Sequence, residues 1–260
     1  MTTEKTIEWT QRDIQCAEAV LANSTGDGFS LPMLTDEEIV ALDGLERSQA
    51  VALPWLDLHT EQRELACNVA LRSLLSKGLA FPLIGEGDTA PSGLGAVDEI
   101  TGILTLRRLG ERVVTAELTK DGDRAWLYGY VHADQVLEEV VDSAGSHTFT
   151  VVSRLDFPDR LMTLANAAGV DSVDGDPVSF TAERFAQVAE ATLKDTRGVT
   201  TISAISLDPD TFRHYTIYTQ GDQLHGMTAS EDNGMAMLNL ATISRVTGVE
   251  AIREVVEAGL

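Results

Sequence analysis

The first third of the chain carries apolar residues at helical spacing. Thr35 and Glu38 match a capping box, in which each side chain bonds the backbone amide of the other, so a helix is predicted to begin there. A longer helix is predicted over 60–77 and ends at Gly78. Residues 1–84 are therefore predicted to form an N-terminal helical segment. The apolar stripe predicted for the longer helix consists of Leu65, Val69, Leu71, Leu74 and Leu75.

The hydrophobic period changes from helical to alternating after a Gly-rich segment, residues 85–95, which is predicted to be a linker. Asp121-Gly122 lies between two alternating runs and predicts a tight hairpin turn. Strands are predicted at 103–107, 112–118, 124–131, 147–152, 199–207, 211–219 and 223–229. Helices are predicted at 133–142, 157–168, 181–194, 232–246 and 249–258.

One order of elements occurs twice in this prediction. Three strands joined by tight turns and followed by a helix surround Asp121-Gly122, and the same order surrounds Gly221-Asp222. The sequence therefore predicts an α+β fold, with an antiparallel sheet built from two similar β-β-β-α halves related by a pseudo-two-fold axis. The halves are placed at 96–170 and 171–260. Chance recurrence of a common β-meander is the alternative.

The net charge of the chain limits the classes of binding partner that are expected. The 260 residues include 41 Asp and Glu but only 19 Lys and Arg, which gives a formal net charge of −22. Nucleic acids and anionic membranes attract proteins through clustered bases, so neither is expected as a partner. The N-terminal residues lack the basic and apolar regions of a signal peptide, and no apolar run approaches the ~18 residues of a membrane span. A cytoplasmic location is expected.

No catalytic constellation is visible in the sequence. The five histidines and two cysteines lack the spacing of a zinc site, and the Gly-rich segment lacks the end of a phosphate-binding loop. Asp171, Asp174 and Asp176 do not follow the calcium-loop spacing, and a turn is predicted there. Glu138 and Glu139 are predicted to lie on a solvated face. We therefore expect no enzymatic activity, no metal and no cofactor.

The first predicted hairpin offers a candidate surface for a partner. If Lys120 lies opposite Asp123, Val114 and Ala116 belong to a small apolar face that suits a core. Aromatic residues with a polar group are typical of interfaces, although a covering helix would instead make them core. The partner-binding candidates are the three aromatic residues of the reverse face, Trp126, Tyr128 and Tyr130.

The order of elements also resembles that of the EspG family, chaperones associated with type VII secretion in actinobacteria. The resemblance is carried by the two meander-helix units and by a run of leucines that ends in a base, a glycine and a leucine. That run is Leu71-Arg72-Ser73-Leu74-Leu75-Ser76-Lys77-Gly78-Leu79. The resemblance implies a non-enzymatic cytosolic protein that holds a helical PE–PPE-type pair before export. The alternatives are a winged-helix-type transcription regulator with a C-terminal sensor domain, or an enzyme without a recognisable motif.

Overall fold

The computed structural model describes residues 9–23, 30–84, 93–206, 212–232 and 235–258. The chain divides into two compact units. The first unit comprises residues 1–110 with 144–151, and the second comprises 111–143 with 152–260. The halves at 96–170 and 171–260 stay a prediction. Most of the linker predicted at 85–95 lies outside the described residues, and its last three residues begin a strand.

The first unit is mainly helical, and the N-terminal helical segment at 1–84 stays a prediction. Its helices are α1 (Gln11–Asn23), α2 (Asp36–Asp43), α3 (Pro54–Leu58), α4 (Arg63–Ser76) and α5 (Asp98–Leu109). Its strands are β1 (Leu34–Thr35), β2 (Ala80–Leu83) and β3 (Gly93–Ala96), of which β2 and β3 pair with each other. The predicted strand at 103–107 is wrong, because Ile100, Ile103 and Leu106 of α5 are buried at a spacing of three residues, which suits a helix.

Helices α1 and α5 approach closely because Gly102 has no side chain. A Cβ atom at that position would lie 2.5 Å from the Cys16 carbonyl oxygen and 2.6 Å from a methyl group of Val20. Both distances are shorter than real Cβ contacts allow. The glycine in α5 therefore lets the two helix backbones come together, which outweighs its low helix propensity.

The second unit is built on an antiparallel sheet. Its strands are β4 (Arg112–Lys120), β5 (Asp123–His132), β6 (Gln135–Val141), β8 (Val178–Thr181), β9 (Gly198–Ser206), β10 (Arg213–Thr219), β11 (Leu224–Asp232) and β12 (Met235–Thr242). Strand β7 (Ser146–Ser153) follows β6 in the chain, and six of its eight residues belong to the first unit. The helices are α6 (Phe157–Ala165), α7 (Phe185–Thr192) and α8 (Arg245–Glu257). Eight of these strands lie in the order β6-β5-β4-β9-β10-β11-β12-β8. The predicted α+β class with an antiparallel sheet is confirmed.

Four strands and a helix follow one another twice along the chain, as β4 to β7 with α6 and as β9 to β12 with α8. The helices predicted at 133–142 and 232–246 are wrong, since those segments contain β6 and β12. Four consecutive residues of β6, from Val136 to Glu139, are buried. A strand buried on both faces shows no alternation, so its sequence cannot be told from a buried helix. The predicted two-fold relation between the halves stays a prediction.

The turns set the register of both predicted hairpins correctly. In the first hairpin, Ala116 lies opposite Leu127 and Glu117 lies opposite Trp126, as predicted. In the second, His225 lies opposite Tyr218, which is the register that a two-residue turn at Gly221-Asp222 gives. Each register therefore follows from a two-residue turn together with the apolar alternation beside it.

The main core lies between one face of this sheet and helices α6 and α8. Phe157, at the start of α6, is fully buried and lies over Gly129 of β5. A Cβ atom at Gly129 would lie 2.2 Å from Cζ of Phe157 and 3.0 Å from a methyl group of Val136. The ring of Phe157 thus occupies the space that any other residue at 129 would need.

We predict that Gly129→Ala lowers the free energy of unfolding by about 2 kcal/mol or more, because the ring of Phe157 must move. Gly198→Ala in β9 is the matched control, since a Cβ atom there has no contact closer than 3.7 Å. Denaturant unfolding of both variants and of Gly129→Ala/Phe157→Leu gives the comparison. The prediction fails if Gly129→Ala costs no more than Gly198→Ala, or if the Phe157 substitution does not reduce its cost.

Asp174 lies in the turn predicted at 171–176 and binds the first turn of α8. Its carboxylate accepts a hydrogen bond from the Ser244 amide at 2.6 Å and another from the Thr247 hydroxyl at 2.9 Å. These bonds hold the pKa of Asp174 below its usual value of 3.8. The turn is thus fastened to the beginning of the last helix of the described chain.

We predict that Asp174→Asn destabilises the protein at neutral pH, and that the difference from wild type shrinks as the pH falls below about 4. A carboxyl whose pKa is lower when folded contributes stability above its unfolded pKa and loses it as the pH falls through the folded pKa. Asp176→Asn removes a charge from the same turn and is the control. Thermal unfolding at several pH values measures both, and a difference that does not depend on pH would contradict the prediction.

Candidate protein-binding surfaces

Helix α4 exposes part of its apolar surface. Its inward face carries the buried residues Cys67, Ala70 and Leu74. Leu65 and Val69 lie one turn apart on another face and are 66% and 58% exposed. The apolar stripe predicted for this helix is therefore wrong for these two residues, because the helix has apolar residues on more than one face. An exposed apolar stripe of this kind is typical of a contact surface.

A groove of about 540 Å³ runs beside Leu65 and Val69 and is walled by Trp55 and His59. The two rings stack with their centroids 4.2 Å apart. Nδ1 of His59 lies 2.7 Å from the Trp55 carbonyl oxygen. Since a carbonyl oxygen can only accept, Nδ1 carries the proton and donates it. This bond and the stacking hold both rings in place, so the wall of the groove is ordered before any partner binds.

Asp36 positions the Trp55–His59 wall through hydrogen bonds to the start of α3. Its side chain is fully buried, and Oδ2 accepts hydrogen bonds from the amides of Trp55 at 2.8 Å and Leu56 at 3.0 Å. Oδ1 lies 2.7 Å from Nε2 of His147, which also is buried. One carboxylate thus joins the start of α3 to the start of α2. The capping box of Thr35 and Glu38, predicted from the sequence, is confirmed beside it.

The border of the groove is acidic. Glu37 and Glu38 line it, and none of its lining residues is a lysine or an arginine. An apolar stripe bordered by carboxylates complements an apolar partner surface with basic residues at its edges. The groove therefore has both the hydrophobic area and the charge pattern of a site for an amphipathic helix.

The three aromatic candidates lie on one face of the sheet, at the register that the sequence predicts. Trp126 is half-buried, whereas Tyr128 and Tyr130 are only 6% and 3% exposed. The three rings thus do not form a continuous exposed patch in this structure. A partner-binding role for Trp126, Tyr128 and Tyr130 stays a prediction, and Trp126 is the member with solvent access.

Two neighbouring glutamates of β6 are buried on opposite faces of the sheet. The prediction that Glu138 and Glu139 lie on a solvated face is wrong. Arg160 of α6 binds both carboxylate oxygens of Glu138. The Tyr130 hydroxyl donates to Oε2 of Glu139 at 2.6 Å. The residue that bonds each carboxylate lies in another element, 22 residues away for Glu138 and 9 residues away for Glu139.

We predict that Tyr130→Phe lowers the free energy of unfolding by about 1–3 kcal/mol, because the buried carboxylate of Glu139 loses a hydrogen-bond donor. Tyr130→Phe/Glu139→Gln should cost less than the two single changes together, since a neutral amide tolerates the loss better. Denaturant unfolding of the four proteins measures this coupling. Additive costs would mean that the hydrogen bond does not stabilise the fold.

The described residues include metal-ligating types of side chain and the thiols of two cysteines. Within them, no group of three or more His, Cys, Asp or Glu side chains is placed to share a metal ion. Burial raises the pKa of the thiols of Cys16 and Cys67, which disfavours the nucleophilic thiolate. In the described part of the chain, no helix has both the length and the apolar character needed to cross a membrane.

No protein-family model matches this chain, and a search of curated proteins finds no match either. Its fold is similar to a solved structure, the Mycobacterium tuberculosis type VII secretion system chaperone EspG5 in complex with a PE25–PPE41 dimer. The similarity covers 87% of this chain and 96% of that chain, with a TM-score of 0.59 and 9% sequence identity. The EspG-like fold that the order of elements indicates is therefore confirmed at the level of the fold.

Proposed function

We propose that this protein is a non-enzymatic chaperone that holds a helical protein pair of the PE–PPE type. The observation that carries the proposal is the fold similarity, which extends over nearly all of both chains. The solved structure contains that chaperone in complex with a PE25–PPE41 dimer, and the similarity in fold extends over 87% of the present chain. Fold alone does not assign function, so the local chemistry of the surface must support it.

The groove beside α4 supplies that chemistry. Leu65 and Val69 are spaced to pack against apolar residues of another helix, and the Trp55–His59 wall is already ordered. Ordered side chains lose little entropy on binding, which favours affinity. The acidic border selects a partner with basic residues beside its apolar stripe. We propose that this groove receives one helix of the bound pair.

The proposal predicts that a PE–PPE-type pair co-purifies with the chain, and that Leu65→Ala/Val69→Ala weakens its binding by more than tenfold, about 1.4 kcal/mol. Both side chains are exposed, so their truncation should leave the melting temperature within a few degrees of wild type. A panel of such pairs is co-expressed with the tagged chain, and the affinity of any bound pair is measured by calorimetry.

Leu155→Ala is the matched control, because Leu155 is 67% exposed, almost the same as Leu65, and lies away from α4 in the sequence. It should leave the affinity unchanged. Failure of every pair in the panel to bind at micromolar concentration would refute the chaperone function. Binding that survives the double substitution would leave the function standing but reject the α4 groove as its site.

A further inference from the structure

A second concave site lies in the second unit, at the end of the sheet where β4 and β10 end and β9 begins. It is a cavity of about 220 Å³ between these strands and the end of α6. Its apolar wall consists of Leu118, Leu164, Ala165 and Ala168. Sites for drug-sized ligands and cofactors usually measure about 300–1,000 Å³. This cavity is smaller, and its size suits a single apolar side chain.

The mouth of this cavity carries two cations. Lys120 and Arg197 line it, both are exposed, and neither forms an ion pair with another residue of the described chain. Asp121 is the carboxylate in the lining, so the charged groups there sum to one positive charge. This local excess occurs in a protein whose net charge is −22. The mouth of the cavity therefore offers an anion two cationic partners.

The guanidinium of Arg197 lies beside the turn between β10 and β11. The Arg197 amide donates to the Thr219 carbonyl at 2.9 Å, which fixes the backbone of residue 197. A Cβ atom at Gly221 would lie 3.4 Å from Nη2 and 3.6 Å from Cζ of Arg197, so the guanidinium rests on the backbone of the β10–β11 turn. A guanidinium placed in this way presents paired N–H groups, which match the two oxygens of a carboxylate.

We propose that this cavity binds the free C-terminus of a peptide whose last residue has an apolar side chain of medium size. The side chain occupies the wall of Leu118, Leu164 and Ala168, and the terminal carboxylate pairs with Arg197 and Lys120. The carboxylate of Asp121 accepts the N–H of the last residue. A simple carboxylic acid lacks that N–H group, so the presence of an acceptor beside two cations favours a peptide end.

The test uses the full chain labelled with ¹⁵N and a probe peptide, acetyl-Gly-Ser-Gly-Ala-Leu with a free carboxylate. The expected result is a titratable shift of the Gly198 and Gly221 amide signals, since both residues line the cavity. The same peptide with a C-terminal amide should bind at least tenfold more weakly. The small acid 4-methylpentanoate, which carries the same side chain and carboxylate without the N–H, should also bind at least tenfold more weakly.

Three results would overturn the proposal. Absence of shifts at millimolar peptide would mean that the cavity does not bind this ligand. If the amidated peptide bound as tightly as the peptide with a free carboxylate, the carboxylate would not be recognised. Equal binding of 4-methylpentanoate would assign the cavity to small carboxylic acids instead.

Variants separate binding from a structural role. Lys120→Gln/Arg197→Gln should lower the affinity for the peptide at least tenfold. Ala168→Leu should lower this affinity by the same factor, because the larger side chain fills the cavity. Arg184→Gln/Lys194→Gln removes two other exposed cations and should leave binding unchanged. The rival explanation is that Lys120 and Arg197 only stabilise the C-terminal end of α6. In that case the first double variant lowers the melting temperature and the wild type binds no peptide.

Discussion

The antiparallel pairing of β4 with β9 is the contact on which the second unit depends. It joins two segments far apart in the sequence, and its register runs from Arg112 opposite Ser206 to Lys120 opposite Gly198. Each of the two strands begins a run of four strands and a helix. A slip of one residue would place the buried Ala116 and its partner Ile202 on opposite faces of the sheet. Burial of one face under α6 and α8 therefore fixes this register.

The sequence predicts those parts of the fold that depend on neighbouring residues. Asp121-Gly122 and the alternation around it determine a hairpin and its register, and Thr35 with Glu38 determines the start of α2. β6 was not predictable in this way, because both of its faces are buried and its sequence has no period of two. The same limit applies to α4, where apolar residues occur on the buried and the exposed faces. The spacing of the apolar residues could not show that Leu65 lies on an exposed face of α4.

Buried charges depend on contacts that no local pattern contains. Asp36 binds His147, which is 111 residues away in the chain, and Glu138 binds Arg160 of another element. Arg112 is buried with its guanidinium donating to the Val256 carbonyl at 3.0 Å, and burial lowers the pKa of Arg112. A charged residue in a strand is usually solvated, so its sequence indicates the surface. At Asp36 and Glu138, a specific partner compensates the loss of water.

Solvent exposure, and not residue type, distinguishes the candidate contact residues of this chain. Aromatic residues are typical of interfaces, yet Tyr130 is buried and donates a hydrogen bond to the carboxylate of Glu139. The aliphatic residues Leu65 and Val69 of α4 are exposed to solvent instead. An exposed Leu65 and Val69 would also favour self-association through the hydrophobic effect. The net charge of −22 and the carboxylates beside the groove oppose the approach of a second copy. A partner with basic residues gains both the apolar contact and a favourable charge interaction. The negative charge of the chain therefore disfavours self-association and favours binding of that partner.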